Sequence, residues 1–276
     1  MNNKPTSAEI ENFLNEDIGS GDITANIISK NTQAKAIVVA REKMLLCGQA
    51  WFNAVFNQLN PTIKIHWFVS EGDVCEENTQ LCDLEGPAKD ILTGERTALN
   101  LLQTLSAVAS TAKQYADAVS GTQCKVLDTR KTIPGLRNAQ KYAVACGGCV
   151  NHRIGLYDGV LIKENHIMAA GSIANAVAVA RKLTDVAVEV EVESLAEYQQ
   201  ALAAKPDRIM LDNFSMTNMK TAVSIEHGSI ELEASGDITL ATIRDVAETG
   251  VDFISIGALT KHIKAIDLSM RITMES

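Results

Sequence analysis

Two glutamates one residue apart, in the run Val188-Glu189-Val190-Glu191-Val192, are the first residues whose spacing implies chemistry. Side chains alternate along an extended strand, so the three valines point one way and both glutamates the other. The valines belong against helices, which turns Glu189 and Glu191 toward an interior where a carboxylate is costly unless a cation or a metal answers it. An interior Lys or Arg would make either one a structural ion pair. With Asp212 and Glu233 at neighbouring strand tips, a shared catalytic site is the better account. Oxygen donors of this kind suit Mg²⁺, which takes one or two carboxylates together with substrate phosphates.

Cations are the other half of the pattern. Between Lys125 and Lys163 the chain carries Arg130, Lys131, Arg137, Lys141, Arg153 and Lys163 against Asp128 and Asp158. Charge alone fits a solvated face as well as an anion pocket. Arg130, Arg153 and Lys163, with His152 among them, offer two planar forks and a point charge to carboxylates or phosphates. Ser235-Gly236 and Gly257 add turns whose free backbone N–H groups suit a phosphate, although each glycine alone is only a turn signal.

The elements that must position these residues follow a rhythm of short β-branched run, polar tip and Ala-rich helical stretch. The strand-like runs are Lys125 to Leu127, Gly159 to Ile162, Ala187 to Val192, Arg208 to Leu211, Ser229 to Leu232 and Phe253 to Ile256. Helical stretches lie between them at Leu136 to Ala145, Ile173 to Leu183, Ala196 to Ala203, Met216 to Ser224 and Leu240 to Glu248. Such alternation implies a parallel sheet with right-handed crossovers, and reacting groups of β/α barrels sit at the carboxyl ends of the strands. Six units are fewer than a full barrel, so the barrel is incomplete or one strand hides near Cys149. Upstream, a capped helix over Ser7 to Leu14 and strands at Ala36 to Arg41, Ile63 to Val69 and Thr79 to Leu84 predict an α+β unit. A long helix begins near Pro87, with Leu99, Leu102, Leu105, Ala109, Ala112 and Ala116 on one face.

Composition excludes several classes. With 276 residues and 46% hydrophobic content the chain has ample core and is not a disordered protein. A formal charge of −9 argues against a general nucleic-acid binder. No run reaches the ~18 apolar residues that span a bilayer, and the amino terminus lacks an apolar leader, so a cytoplasmic protein with no membrane partner is expected. The six cysteines are expected to be reduced thiols. Cys146-Gly147-Gly148-Cys149, with His152 three residues on, has redox or zinc spacing but no recognisable fourth ligand.

The same residues carry a resemblance that runs nearly end to end. It includes Glu16-Asp17-Ile18-Gly19-Ser20-Gly21-Asp22-Ile23-Thr24, Glu95-Arg96-Thr97 and Asp128-Thr129-Arg130-Lys131-Thr132-Ile133-Pro134-Gly135-Leu136-Arg137. It continues through Asn151-His152-Arg153, Ile162-Lys163-Glu164-Asn165-His166, Glu189-Val190-Glu191, Leu211-Asp212-Asn213-Phe214, Glu233-Ala234-Ser235-Gly236 and Gly257-Ala258-Leu259-Thr260. In these motifs the chain resembles the quinolinate phosphoribosyltransferase family.

That resemblance implies phosphoribosyl transfer from phosphoribosyl pyrophosphate to quinolinate with decarboxylation, in NAD biosynthesis. It implies that Arg130, His152, Arg153 and Lys163 hold the pyridine dicarboxylate, joined by Arg96 from a neighbouring subunit of a homodimer or larger assembly. Lys131 would lie between the substrates, as a catalytic residue with Glu191 and Asp212. Those two carboxylates would serve ribose and Mg²⁺, and Lys131, Lys163, Glu233, Ser235, Gly236 and Gly257 would complete the phosphoribosyl pyrophosphate site. The expected architecture is α/β: an N-terminal α+β open sandwich domain over 1–106, rejoined by 264–276, and an incomplete β/α barrel over 107–263. Cys149 and Ala107 stand where the family commonly has glycine. The competing chemistry is a Schiff-base lyase using Lys163, and the competing class is a nucleotide or anion sensor without turnover.

Overall fold

In the computed structural model, which describes residues 4–275, the chain forms two compact units. The first comprises Met1–Lys113, Ile133–Gly148 and Thr260–Ser276, the second Gln114–Thr132 and Cys149–Leu259. In chain order the elements begin with α1 (Ser7–Ile18), β1 (Gln33–Ala40), β2 (Met44–Leu45), α2 (Gln49–Leu59), β3 (Lys64–Trp67), β4 (Val74–Cys75), β5 (Gln80–Pro87) and α3 (Ala88–Ala118). They continue with β6 (Lys125–Leu127), α4 (Arg137–Cys146), β7 (Val160–Ile162), α5 (Glu164–Ala170), α6 (Ile173–Leu183), β8 (Val188–Val192), α7 (Leu195–Ala204) and β9 (Arg208–Asp212). The last are α8 (Met216–Ser224), β10 (Glu231–Ser235), α9 (Ile243–Ala247), β11 (Phe253–Ser255), α10 (Ala258–Lys261) and β12 (Leu268–Glu275).

The first unit is built on an antiparallel sheet of order β12-β1-β5-β3. Strand β12 pairs residue for residue with β1, from Gln33 opposite Glu275 to Ala40 opposite Leu268. Helix α1 starts on a capping box in which Thr6 and Glu9 satisfy each other's backbone N–H groups. Helix α2 was not foreseen by the strand-dominated reading of this region. Its signal is Trp51-Phe52 followed four residues on by Val55-Phe56, all buried, the helical repeat of one apolar face. The face predicted for α3 is buried at Leu99, Leu102, Leu105, Ala109 and Ala112, with Ala116 half-buried.

The second unit is a six-stranded parallel sheet of order β6-β11-β10-β9-β8-β7, with helices filling the crossovers. An isolated parallel bridge between Leu127 and Val150 lies outside the six strands, so among the described residues no full strand stands near Cys149. This is the expected α/β architecture with an incomplete β/α barrel. Val188, Val190 and Val192 are at most 1% exposed, as their outward-facing pattern against helices required. Two boundaries differ from expectation. Helix α5 follows Lys163 directly, where a tip was expected. Strand β10 runs two residues later than predicted, so Glu233 lies mid-strand, level with Met210 of β9 and Phe253 of β11, and not at a tip. The reason is the period of two: with Leu232 and Ala234 buried on one face, Glu231, Glu233 and Ser235 share the other.

Candidate active site

The carboxyl ends of the parallel strands surround a cavity of about 440 Å³. Its walls include Thr129, Arg130 and Lys131 after β6, His152 and Arg153 after the Val150 bridge, and Lys163 after β7. Glu191 enters from β8, Asp212 from β9, Ser235 from β10 and Ser255 from β11, with Glu233, Leu161 and Met210 completing the lining. Nine of the residues singled out in the sequence therefore share one cavity: Arg130, Lys131, His152, Arg153, Lys163, Glu191, Asp212, Glu233 and Ser235. Gly236 and Gly257 lie at the same strand ends, Gly257 against the Lys131 side chain. Arg96 lines a different cavity, of about 330 Å³ in the first unit, with Glu16, Asp17 and Ile133.

Cations crowd one wall. Burial and the neighbouring Arg130 guanidinium both pull the Arg153 pKa below its ordinary value, with Glu189 and Asp158 opposing. Two guanidinium groups held close together are best stabilised by an anion between them. Arg130 Nε is buried without a hydrogen-bond partner, a donor lacking an acceptor. Arg153 is oriented from behind by its bond from Nη1 to the Gly159 carbonyl at 2.9 Å. Opposite, Lys163 Nζ donates to the Glu191 carboxylate, and Asp212 accepts from Asn213 Nδ2 at 2.9 Å.

Beneath the cavity lies a buried charge network. His152 Nδ1 accepts the Arg153 backbone N–H at 2.7 Å, so the proton sits on Nε2, which faces Glu189 Oε2 at 2.8 Å and Glu233 Oε2 at 3.6 Å. Arg208 Nη1 donates to Glu233 at 3.1 Å and stacks over the Phe253 ring at 4.0 Å. Burial raises the pKa of both glutamates, that of Glu233 to about 8 with the Glu189 charge adding to the effect, while His152 and Arg208 oppose. Glu189 is thus held by a hydrogen bond from His152, where an interior Lys or Arg was the partner weighed from the sequence, while Glu191 alone of the pair reaches the cavity wall.

Sequence reasoning passed over two positioning residues. Asp128 is fully buried and accepts from Asn151 Nδ2 at 2.7 Å and the His152 backbone N–H at 2.8 Å, which fixes the segment carrying His152 and Arg153. In the sequence Asp128 stands as an acidic exception within the basic island and as the first residue of the Asp128-Thr129-Arg130-Lys131 motif, with no role assigned. Arg208 was available from the alternation that turns Asp212 inward, because Arg208, Met210 and Asp212 share one face of β9. The Cys146-Cys149-His152 grouping does not form a site: His152 serves Glu189, burial raises the Cys149 thiol to about 12, and Cys146 groups with Cys47 and Glu71.

Comparison with known proteins agrees along the whole chain. A model described as the quinolinate phosphoribosyl transferase C-terminal domain matches residues 108–271, and that of the N-terminal domain matches residues 22–106. A Bacillus subtilis protein named probable nicotinate-nucleotide pyrophosphorylase (carboxylating) is 38% identical over 278 residues, covering 100% of this chain and 96% of that one. A Nicotiana tabacum protein named quinolinate phosphoribosyltransferase (decarboxylating) 2a, mitochondrial, is 36% identical over 284 residues, covering 95% of this chain and 80% of the other. The solved nicotinate-nucleotide pyrophosphorylase of Francisella tularensis superposes with a TM-score of 0.94 at 50% identity, covering 98% of each chain.

Proposed function

Because this chain belongs to the quinolinate phosphoribosyl transferase family, we propose that it transfers the phosphoribosyl group of phosphoribosyl pyrophosphate to quinolinate, releasing pyrophosphate and CO₂ and forming nicotinate mononucleotide for NAD biosynthesis. The observation that carries the reading is the meeting of Arg130, Arg153, Lys163, Glu191 and Asp212 in one cavity from four separate strand ends and a loop.

In this reading Arg130, Arg153 and Lys163 bind the two carboxylates of quinolinate, with His152 anchoring the wall between them through Glu189. The pyridine nitrogen then attacks the anomeric carbon, the bond to pyrophosphate breaks with its electron pair leaving on oxygen, and positive charge develops on the ribose. Glu191 and Asp212 face that charge, and Lys131 meets the anion that departs. Loss of CO₂ leaves its bonding electron pair on the carbon beside the positive, alkylated nitrogen, and that carbon takes up a proton from solvent. Position and field supply the catalysis, so no covalent nucleophile is needed.

Glu191 and Asp212 would also hold Mg²⁺. The donor set fits: both are oxygen ligands, on the adjoining strands β8 and β9, with room for phosphate oxygens in the cavity. When bound, the ion would neutralise charge on the leaving pyrophosphate. Ser235, Gly236 and Gly257 would cradle the phosphate of the ribose, with Lys163 and Glu233 nearby. Arg96, exposed on α3, would enter the site of a second copy, making the enzyme a homodimer or larger assembly with shared active sites. Among the described residues no helix is long and apolar enough to cross a membrane, which suits the cytoplasmic location we propose.

A Schiff-base lyase would need the Lys163 nitrogen free to attack a carbonyl, whereas Lys163 Nζ is engaged by the Glu191 carboxylate. Incubation with quinolinate, phosphoribosyl pyrophosphate and Mg²⁺, followed by assay of CO₂ and nicotinate mononucleotide, tests the proposal. Stoichiometric release of both supports it. Binding of phosphoribosyl pyrophosphate without turnover would make the chain a sensor.

A further inference from the structure

A second cluster of metal-ligating side chains lies in the first compact unit, with no part in the chemistry above. Cys47 Sγ, a Glu71 carboxylate oxygen and Cys146 Sγ all lie within 4.8 Å of one another. We propose that Cys47, Glu71 and Cys146 form a binding site for a thiophilic divalent cation of the zinc class, with a fourth position open to water.

The three ligands come from separate elements and each is held in place. Cys47 precedes α2 and is fully buried, its backbone N–H donating to Ser106 Oγ at 3.1 Å and its carbonyl accepting from the same hydroxyl at 3.1 Å. Glu71 accepts backbone N–H bonds from Gly48 at 2.7 Å and Gln49 at 3.0 Å, at the start of α2. Those bonds fix its orientation, and the Tyr142 hydroxyl and the Cys47 thiol also hydrogen-bond the carboxylate, so a cation would take the place of the Cys47 proton. Cys146 is the last residue of α4 and, among the described residues, the one cysteine that is not fully buried.

Spacing favours a cation over oxidation. Around a tetrahedral ion with metal–sulfur bonds of about 2.3 Å and metal–oxygen bonds of about 2.1 Å, neighbouring ligand atoms stand ~3.5 Å apart. Closure from the present spacing requires movements on the order of 1 Å. A disulfide would draw the two sulfurs to about 2.05 Å and make no use of the Glu71 carboxylate that stands within 4.8 Å of both.

The electrostatics point the same way. The Cys47 thiol donates a hydrogen bond to Cys146, which sets the two sulfurs side by side. Binding of a divalent cation would release the thiol protons, as thiolate ligation requires. Two thiolates and a carboxylate exceed a divalent charge by one, and the amino end of α2, whose N–H groups hold Glu71, offsets part of the excess. Thiolate ligands select zinc-like ions over Mg²⁺, so this site is chemically separate from the carboxylates of the barrel. Glu71 and Tyr142, one turn before Cys146 on α4, also line a cavity of about 770 Å³ through which an ion can arrive.

The test uses the full chain, reduced and stripped of metal, titrated with Co²⁺ and then with Zn²⁺. One equivalent of Co²⁺ should produce a thiolate-to-cobalt charge-transfer band that Zn²⁺ removes. Cys146→Ser should abolish the band and weaken Zn²⁺ binding by about 100-fold, and Glu71→Gln should weaken it by about 10-fold while keeping the band. Cys47 is fully buried and its replacement risks the fold, so the half-buried Cys146 carries the test, with thermal unfolding as the check on structure. Absence of the band, unchanged Zn²⁺ affinity in Cys146→Ser, or loss of both thiols to a disulfide under air with no cobalt band would each overturn the proposal.

Discussion

Arg208 Nη1 stands 3.1 Å from Oε2 of Glu233, a carboxylate with no exposed surface on the floor of the barrel cavity. Removal of one partner from a buried ion pair leaves an uncompensated charge, at a cost of about 3 kcal/mol or more. Arg208→Met should therefore destabilise the chain by about that amount at pH 9, where Glu233 is ionised. At pH 6 the carboxyl is already protonated, because burial lifts its pKa to about 8, and the loss should be smaller. Chemical denaturation at the two pH values measures the difference; equal losses would mean that Glu233 does not depend on this cation.

Glu233 itself makes a second prediction. Its pKa in the folded chain, about 8, lies above the ordinary 4.5, so the folded state binds more protons than the unfolded one between these values. The stability that Glu233 supplies is complete below pH 4.5 and is lost as pH rises through 8. Glu233→Gln lacks this slope. Relative to the unaltered chain, the variant should be least stable at pH 5 and should gain steadily toward pH 9. Parallel stability curves across that range would refute the elevated pKa.

Arg130 and Lys163 face the dicarboxylate in the proposed reaction from the ends of β6 and β7. Alanine at either position should raise the quinolinate KM and lower kcat/KM by at least ~10-fold, on the order of 1.4 kcal/mol. Lys163→Arg should recover only part of the loss, since a planar fork does not reproduce a point charge paired with Glu191. Near-normal kinetics in both alanine variants would remove the proposed quinolinate site.

The alternation of Val188 to Val192 made the inward carboxylates legible, because a period of two leaves no other way to bury three valines against helices. The strand-tip positions of Arg130, Lys163 and Asp212 were legible for the same reason, through short β-branched runs of fixed direction. What sequence could not reveal was depth. Glu189 and Glu191 look equivalent in the chain, yet one is held by His152 below the cavity and the other meets Lys163 at its wall, a distinction set by side chains from β10 and the segment after Val150. Glu233 was misplaced because the apolar Ile230 beside Ser229 suggested a strand start, whereas the pairing with β9 begins at Glu231, two residues later than Ser229. Helix α2 was missed because the stretch between Arg41 and Ile63 was assigned no element, and the i, i+4 spacing of its aromatic residues was not weighed.

Two glycines at the strand ends separate a backbone requirement from a side-chain one. Gly236 has φ +101°, a conformation that L side chains rarely adopt, and a Cβ there would lie 2.0 Å from Asn213 Oδ1 and 2.9 Å from the Asn213 backbone nitrogen. Relief would have to move Asn213, whose N–H bonds to the Ser235 carbonyl at 2.9 Å and whose neighbour is Asp212. Gly257 has no such constraint on φ, and a Cβ there meets the Lys131 side chain at 3.0 Å, which can swing aside. Gly236→Ala should therefore raise the KM for phosphoribosyl pyrophosphate by about 10-fold or more, with little change in that for quinolinate, while Gly257→Ala should cost several-fold less. Steady-state kinetics with each substrate varied in turn makes the comparison. If Gly257→Ala proves the more damaging, the phosphate cradle depends on close approach at Gly257 and not on the strained turn at Gly236.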